Sequence, residues 1–303
     1  QVCMRQVINK NFLFFFLIIF FLYSFKKWQS EDEIHQSIFN KKYSIFSLNK
    51  ILESEFANEK VPLEDDFVWE RFDKELLKNV YWQSNTILYL KRANRYFPII
   101  DSILIANKIP VDFRYLAVIE SGLENVKSPS GASGIWQIMK STAREYGIEV
   151  NKDIDERYNL EIATQFACDY LNKAFEEFNN WTIAAASYNM GINGMRINLK
   201  KQNVASYYDL NLNSETSRYI FRILAVKTIF ENPKKYGFNI RSKDLYQPLS
   251  YKYIYVNNTI NNLYEFSEKK NINYQTLKFY NPWLRSSRLP DASRKLYKIK
   301  LPN

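Results

Sequence analysis

The amino-acid sequence predicts a mainly α fold with a small strand–helix module at its C-terminal end. Three observations carry this. Apolar residues recur three and four apart over much of residues 61–246, the period of helices that bury one face. Almost no period-two alternation interrupts that stretch. After Pro248 alternation appears twice, at 251–256 and 296–301, on either side of two short helical segments. A chain of 303 residues has room for one large domain and one small one.

Taken in order, the elements begin with a leader. Arg5 and Lys10 precede an unbroken apolar run at 12–23, and Lys26 and Lys27 follow it. Twelve apolar residues flanked by basic ones have the form of a signal-peptide core and are short for a bilayer span. No small-x-small cleavage signal follows, so residues 1–27 read as a signal peptide or a membrane anchor, and the chain as exported. Residues 28–60 are polar and mixed in charge, and read as a linker with one weak helix. Helical spacing then runs from 63 to 105 through Phe67, Phe72, Leu76, Leu77, Val80, Ile87 and Leu88, with a break or a helix start expected at Pro98. Pro110 opens a helix at 111–120. Residues 160–178 form a strongly amphipathic helix with Ala163, Ala167, Tyr170, Ala174 and Phe178 on one face, and Cys168 within it as a small buried hydrophobe. Residues 181–188 and 215–230 complete the helical domain, 61–246. The module, 247–303, reads as strand 251–256, helices 259–270 and 274–280, and strand 296–301.

Composition excludes much chemistry. The single histidine, His35, lies in the polar N-terminal stretch, so no Ser-His-Asp triad, Cys-His pair or His-rich zinc site can be built. Cys3 and Cys168 are too few for a disulfide framework or a four-cysteine metal site. Carboxylate, hydroxyl and lysine chemistry remain. The net charge is +10. The excess is concentrated in residues 247–303, which carry 10 Lys/Arg against 3 Asp/Glu. In an exported chain such a tail points to an anionic wall polymer or a membrane surface rather than to nucleic acid.

Five of the seven glycines fall in two short blocks, 120–139 and 187–194. In the first, Glu120 ends a helix that is apolar nearly all round, with Phe113, Leu116 and Ala117 on its own face, and Gly122 supplies the stop. A carboxyl in that place is pushed toward its neutral form by desolvation and by the negative end of the helix dipole. A carboxylic acid kept protonated near neutral pH is a general acid.

The first block, with Glu120-Ser121, then Ser128-Pro-Ser-Gly-Ala-Ser-Gly-Ile-Trp-Gln-Ile-Met139 and Ser141-Thr-Ala143, resembles the lytic murein transglycosylases of the lysozyme-like glycoside hydrolase family 23. Ala185-Ala-Ser-Tyr-Asn-Met-Gly191 is similar to that family's Ala-Tyr-Asn-x-Gly motif, and Glu215-Thr-Ser-Arg-Tyr219 to its Glu-Thr-x-x-Tyr segment. The three come in the family's order, and with the C-terminal module they resemble the membrane-bound transglycosylase D type. Departures are a stretch between Glu120 and Ser128 one residue shorter than in some members, Ser187 where Ala is usual, and no lipid-attachment cysteine after the apolar run. The tail resembles a LysM peptidoglycan-binding domain through Thr259, Ile260, Leu263, Phe266, Tyr274, Leu277 and Asn281-Pro282-Trp-Leu284, with Asn257-Asn258 in place of the usual Gly-Asp.

The resemblance implies a lysozyme-like (goose-type) helical domain in the bacterial cell envelope, periplasmic or membrane-anchored, that cuts peptidoglycan strands between N-acetylmuramic acid and N-acetylglucosamine. Glu120 would act first as acid and then as base, leaving 1,6-anhydro ends, with no metal or organic cofactor needed. Ser128, Gln137 and Met139 would line sugar subsites. Tyr188 would position the acid or the N-acetyl group, Asn189 would hold its motif's turn, and Glu215 and Tyr219 would contact sugar from a facing helix. Gly131, Gly134 and Gly191 would let the backbone pass close to the glycan, and Trp136 fits a core position as well as a sugar platform. Glu124, the nearest second acid, lies beyond Gly122 with no reason to face Glu120. A silent wall-binding protein and a lysozyme-like hydrolase are the competing readings.

Overall fold

The computed structural model describes residues 30–42, 44–290 and 295–303. The apolar run at 12–23 and the leader lie outside the described residues. Among the described residues no helix is long and apolar enough to cross a membrane. The chain divides into two compact units, 1–48 and 49–303.

In the first unit, α1 (Glu31–Lys42) is the weak helix the sequence predicts. Ser30 and Glu33 exchange backbone-to-side-chain hydrogen bonds across its start, and no residue of it is buried, so local signals alone define it.

The second unit opens with a hairpin, β1 (Glu55–Phe56) and β2 (Glu59–Lys60), turned by Ala57 and Asn58 at positive φ. This is a difference from the expected linker at 28–60, whose last residues belong to the body. Phe56 is fully buried against Phe113, with ring centroids 5.1 Å apart. The Glu59 carboxylate accepts from the Trp181 and Thr182 amides at a helix start, at 2.6 and 2.8 Å. Two residues per strand are too few to show alternation.

The helices follow: α2 (Asp66–Tyr81), α3 (Gln83–Ala106), α4 (Arg114–Ser121), α5 (Lys140–Glu145), α6 (Leu160–Phe178), α7 (Trp181–Met190), α8 (Ile192–Gln202) and α9 (Thr216–Glu231). Asp65, Asn159 and Asn180 accept from amides in the first turns of α2, α6 and α7. Pro98 neither breaks nor starts a helix, because α3 runs through it. Ala93, Ile100 and Leu104 are buried on both sides of the proline, and that burial outweighs one lost backbone bond. Pro110 does open a helical segment, a 3-10 turn at Val111–Phe113 leading into α4. Helix α9, buried along most of its length, packs on α2, α4 and α7 and forms the axis of the helical body.

The tail forms β3 (Tyr251–Val256), α10 (Leu263–Lys269), α11 (Tyr274–Tyr280) and β4 (Tyr297–Pro302). The strands pair antiparallel from Tyr251↔Pro302 to Val256↔Tyr297. Asn281 is fully buried and bridges the module, donating to the Leu277 and Lys300 carbonyls and accepting from the Lys300 amide. The tail's core is not its own alone. Ile154 and Tyr158 of the helical body sit in one apolar cluster with Leu263, Leu277, Leu284 and Ile299, and a bridge joins Ile154 to Leu284.

Candidate active site

Glu120 occupies the last turn of α4. Tyr115, Leu116, Ala117, Val118 and Ile119 before it are all buried, which turns this short helix into core and leaves the carboxyl at its exit. Gly122, at φ 64°, ends the helix. A Cβ there would lie 2.5 Å from the Tyr89 ring, so both conformation and space require glycine.

Burial pushes the Glu120 carboxyl from the ordinary 4.5 up to about 7. Opposing that are a hydrogen bond from the Tyr219 hydroxyl and the positive charge of Arg222, while the Glu215 carboxylate adds a further upward push. The helix-end dipole is countered as well. Arg222 donates to the Ile119 carbonyl at 2.5 Å and Arg92 to the Gly122 carbonyl at 3.1 Å, so two guanidiniums occupy the negative terminus of α4. Desolvation therefore outweighs these and holds the acid partly protonated near neutral pH. Glu124, the nearest other acid in sequence, is ion-paired with Arg92.

The remaining predicted residues lie on the loop that follows α4, at the end of α7 and at the start of α9. Ser121 donates to the Ile135 carbonyl at 2.7 Å, tying the 128–139 loop to the acid's helix. Ser128 lies inside that loop, accepting from the Ala132 amide at 3.0 Å and sharing a hydrogen bond with Ser130. Gln137, at φ 48°, donates to the Gly134 and Val126 carbonyls, so its amide braces the loop from within. Met139 is 42% exposed at the start of α5. Trp136 is core: it is fully buried and donates to Thr164 Oγ1 at 2.9 Å.

The Tyr188 hydroxyl donates to the Trp136 carbonyl at 2.9 Å, fastening α7 to the loop. Its proton affinity is raised well above the ordinary range by burial and then by the Glu120 charge. Asn189 does not simply close its own turn. It donates to Glu215 at 3.0 Å and accepts from Thr216 Oγ1 at 2.6 Å, joining the end of α7 to the start of α9. Glu215 is exposed at that start, whereas Tyr219, one turn on, is buried with its hydroxyl on Glu120. Gly134 makes room for protein, since a Cβ would stand 2.0 Å from the Arg157 carbonyl. Open space surrounds the corresponding positions on Gly131 and Gly191.

Residues 105–211 match the family described as Transglycosylase SLT domain, and residues 252–303 match the Soluble lytic transglycosylase C-terminal LysM-like domain. The chain carries an SLT domain followed by a LysM-like domain. It is 29% identical over 189 residues to membrane-bound lytic murein transglycosylase D of Escherichia coli K12, covering 60% of this chain and 40% of that protein. The chain thus spans less than half the length of that relative. Among solved structures it is similar to the 70 kDa soluble lytic transglycosylase of Escherichia coli (23% identity, TM-score 0.39, 50% of this chain and 27% of that one). It is also similar to an inactive mutant of lytic transglycosylase Slt from Pseudomonas aeruginosa (17% identity, TM-score 0.35, 50% and 26%).

Several residues that hold the SLT domain's site together carry no motif signal. Arg157 is buried, bound bidentately to Asp155, and donates to the Gly131 and Ile138 carbonyls at 3.0 and 2.9 Å, stapling the loop at both ends. The only local sign of it is Asp155 two positions earlier. Arg92 and Arg222 are far from Glu120 in sequence, and charges that act across helices leave no spacing rule to read.

Proposed function

We propose that this protein is a peptidoglycan lytic transglycosylase that cleaves the glycosidic bond between N-acetylmuramic acid and N-acetylglucosamine. The observation that carries this reading is Glu120: a carboxyl desolvated at a helix end, its proton affinity raised to about 7, with Tyr219 and Arg222 fixing its place. Neutral Glu120 gives its proton to the glycosidic oxygen as the bond to C1 breaks. The substrate's N-acetyl group stabilises the developing cation. Ionised Glu120 then takes the proton of the muramic acid C6 hydroxyl, whose oxygen closes on C1. The product is a 1,6-anhydro end, no water is consumed, and Glu120 returns to its starting form. The carboxylate whose charge reaches Glu120, Glu215, is held by Asn189, and Glu124 is paired with Arg92, which supports a single-acid route.

Ser128, Met139 and Glu215 contact the glycan in this reading. Gln137, Tyr188 and Asn189 act behind them by holding the loop and the helix starts, and Tyr219 acts on the acid. The LysM-like module holds the wall polymer, which places the protein in the bacterial envelope. Mass spectrometry of digested peptidoglycan tests the proposal. Anhydro-muropeptides are expected. Reducible ends would make it a lysozyme-like hydrolase, and an absence of cleavage would leave a silent wall-binding protein.

A further inference from the structure

A cavity of about 210 Å³ lies beside the acid, walled by α2, α3 and α9. Ile119, the neighbour of Glu120, lines it, as do Glu215 and Arg222, whose charges reach Glu120. Most of its remaining wall comes from residues 75–89, before the matched SLT range of 105–211. Glu75, only 2% exposed, organises that wall. It accepts from Arg218 at 2.7 and 3.0 Å and from Lys78 at 3.5 Å, which fixes two half-exposed cations at the rim. Burial pushes the Glu75 carboxyl up, but the bonds and charges of Arg218 and Lys78 together hold it below its ordinary value. Lys78, Arg218 and Arg222 outnumber the two carboxylates, and Glu215 is engaged by Asn189. At the junction of α2 and α3, Trp82 stands 63% exposed as a broad apolar face.

A lysine and an arginine held ready by a buried carboxylate recognise an anion, and an exposed indole beside them recognises apolar surface. The volume is below the roughly 300–1,000 Å³ of ordinary small-molecule pockets, so the cavity takes a substituent of the strand rather than the strand itself. We propose that it is a subsite for the carboxylate-bearing peptide carried by the muramic acid, with Lys78 and Arg218 on the carboxylate and Trp82 against the chain. This deepens the proposed function and rests on it.

The test is binding of a soluble disaccharide-peptide to the full chain by calorimetry, with the peptide carboxylates free or amidated, in wild type and in Lys78→Gln. Arg218 is left in place, because removing it strands a buried Glu75 charge. Wild type is expected to bind the free acid about tenfold more tightly than the amide, the worth of one charge-assisted hydrogen bond. Lys78→Gln should shrink that preference, and Trp82→Ala should weaken both ligands alike. Equal affinity of wild type for acid and amide, or an undiminished preference in Lys78→Gln, overturns the subsite. Failure of the proposed function reads out separately, as the lack of anhydro ends in a digestion by the same preparation.

Discussion

Glu120 and the acidic residues of 149–161 are carboxyls in one compact body, and they are handled in opposite ways. At 149–161 each carboxylate that faces the tail meets a cation from it: Asp153 with Arg288, Glu156 with Lys295, Glu161 with Lys300. Arg288 holds the Asp153 carboxyl below its usual range. At Glu120 the nearby cations are turned to other work, Arg222 to the Ile119 carbonyl and Arg92 to Glu124 and the Gly122 carbonyl. The first group is paired with cations and joins two parts of the molecule. The second is left near neutrality and can move a proton. What separates them is desolvation at Glu120, together with whether the neighbouring cation's hydrogen bonds go to the carboxylate or to backbone.

The largest way to break this comparison is Glu120→Gln. It should lower turnover roughly 10³-fold, the scale of general acid–base catalysis, while circular dichroism stays unchanged. Near-wild-type turnover would remove Glu120 from the mechanism. Next in size is Gly134→Ala. Its Cβ has no room against the Arg157 carbonyl, and φ there is 81°, so stability should fall by about 3 kcal/mol in a denaturant titration. Unchanged stability would mean the loop is not stapled as described.

Glu120→Gln should also stabilise the fold above neutral pH, by roughly 3 kcal/mol at pH 8. The sign follows from the raised value. The folded carboxyl holds its proton up to about 7 and the unfolded one loses it near 4.5. Wild-type stability is therefore full below 4.5 and declines as pH rises toward 7. Thermal melts of both proteins at pH 4 and pH 8 check it, and a gap of the same size at both would count against it. Arg222→Met should move the alkaline limb of the rate profile to higher pH, because its charge favours ionised Glu120. A limb that stays put would show that the guanidinium has no hold on the acid. The smallest effect belongs to the other region. Lys295→Ala with Lys300→Ala should cost about 1 kcal/mol of stability, less in high salt. A loss that salt does not change would mean apolar packing alone holds the tail.

The elements legible in the sequence were those with their own punctuation. Asn159 and Asn179 bound α6, and the ends 160–178 were readable to the residue. The strand at 251–256 and the helix at 274–280 were equally plain. Glu120 was readable because an apolar helix ending in Glu-Ser-Gly makes a desolvated terminus by itself. The hairpin at 55–60 was not, because its strands are two residues long and its place depends on Phe113, Lys227 and the start of α7. Pro98 misled because the backbone penalty is local and the burial that outweighs it is tertiary. The hydrogen bonds that Gln137 and Tyr219 make within the protein are hidden for the same reason. A motif gives a residue type at a position, and whether that side chain turns to substrate, loop or acid is settled by what packs behind it.

The most direct measurement is titration of Glu120 itself, by carbon-13 NMR of side-chain-labelled glutamate with Glu120→Gln as the assignment control. The signal lost in the variant should titrate in the wild type with a midpoint about 7. A midpoint at the ordinary 4.5 would contradict the desolvated acid on which the proposed chemistry depends.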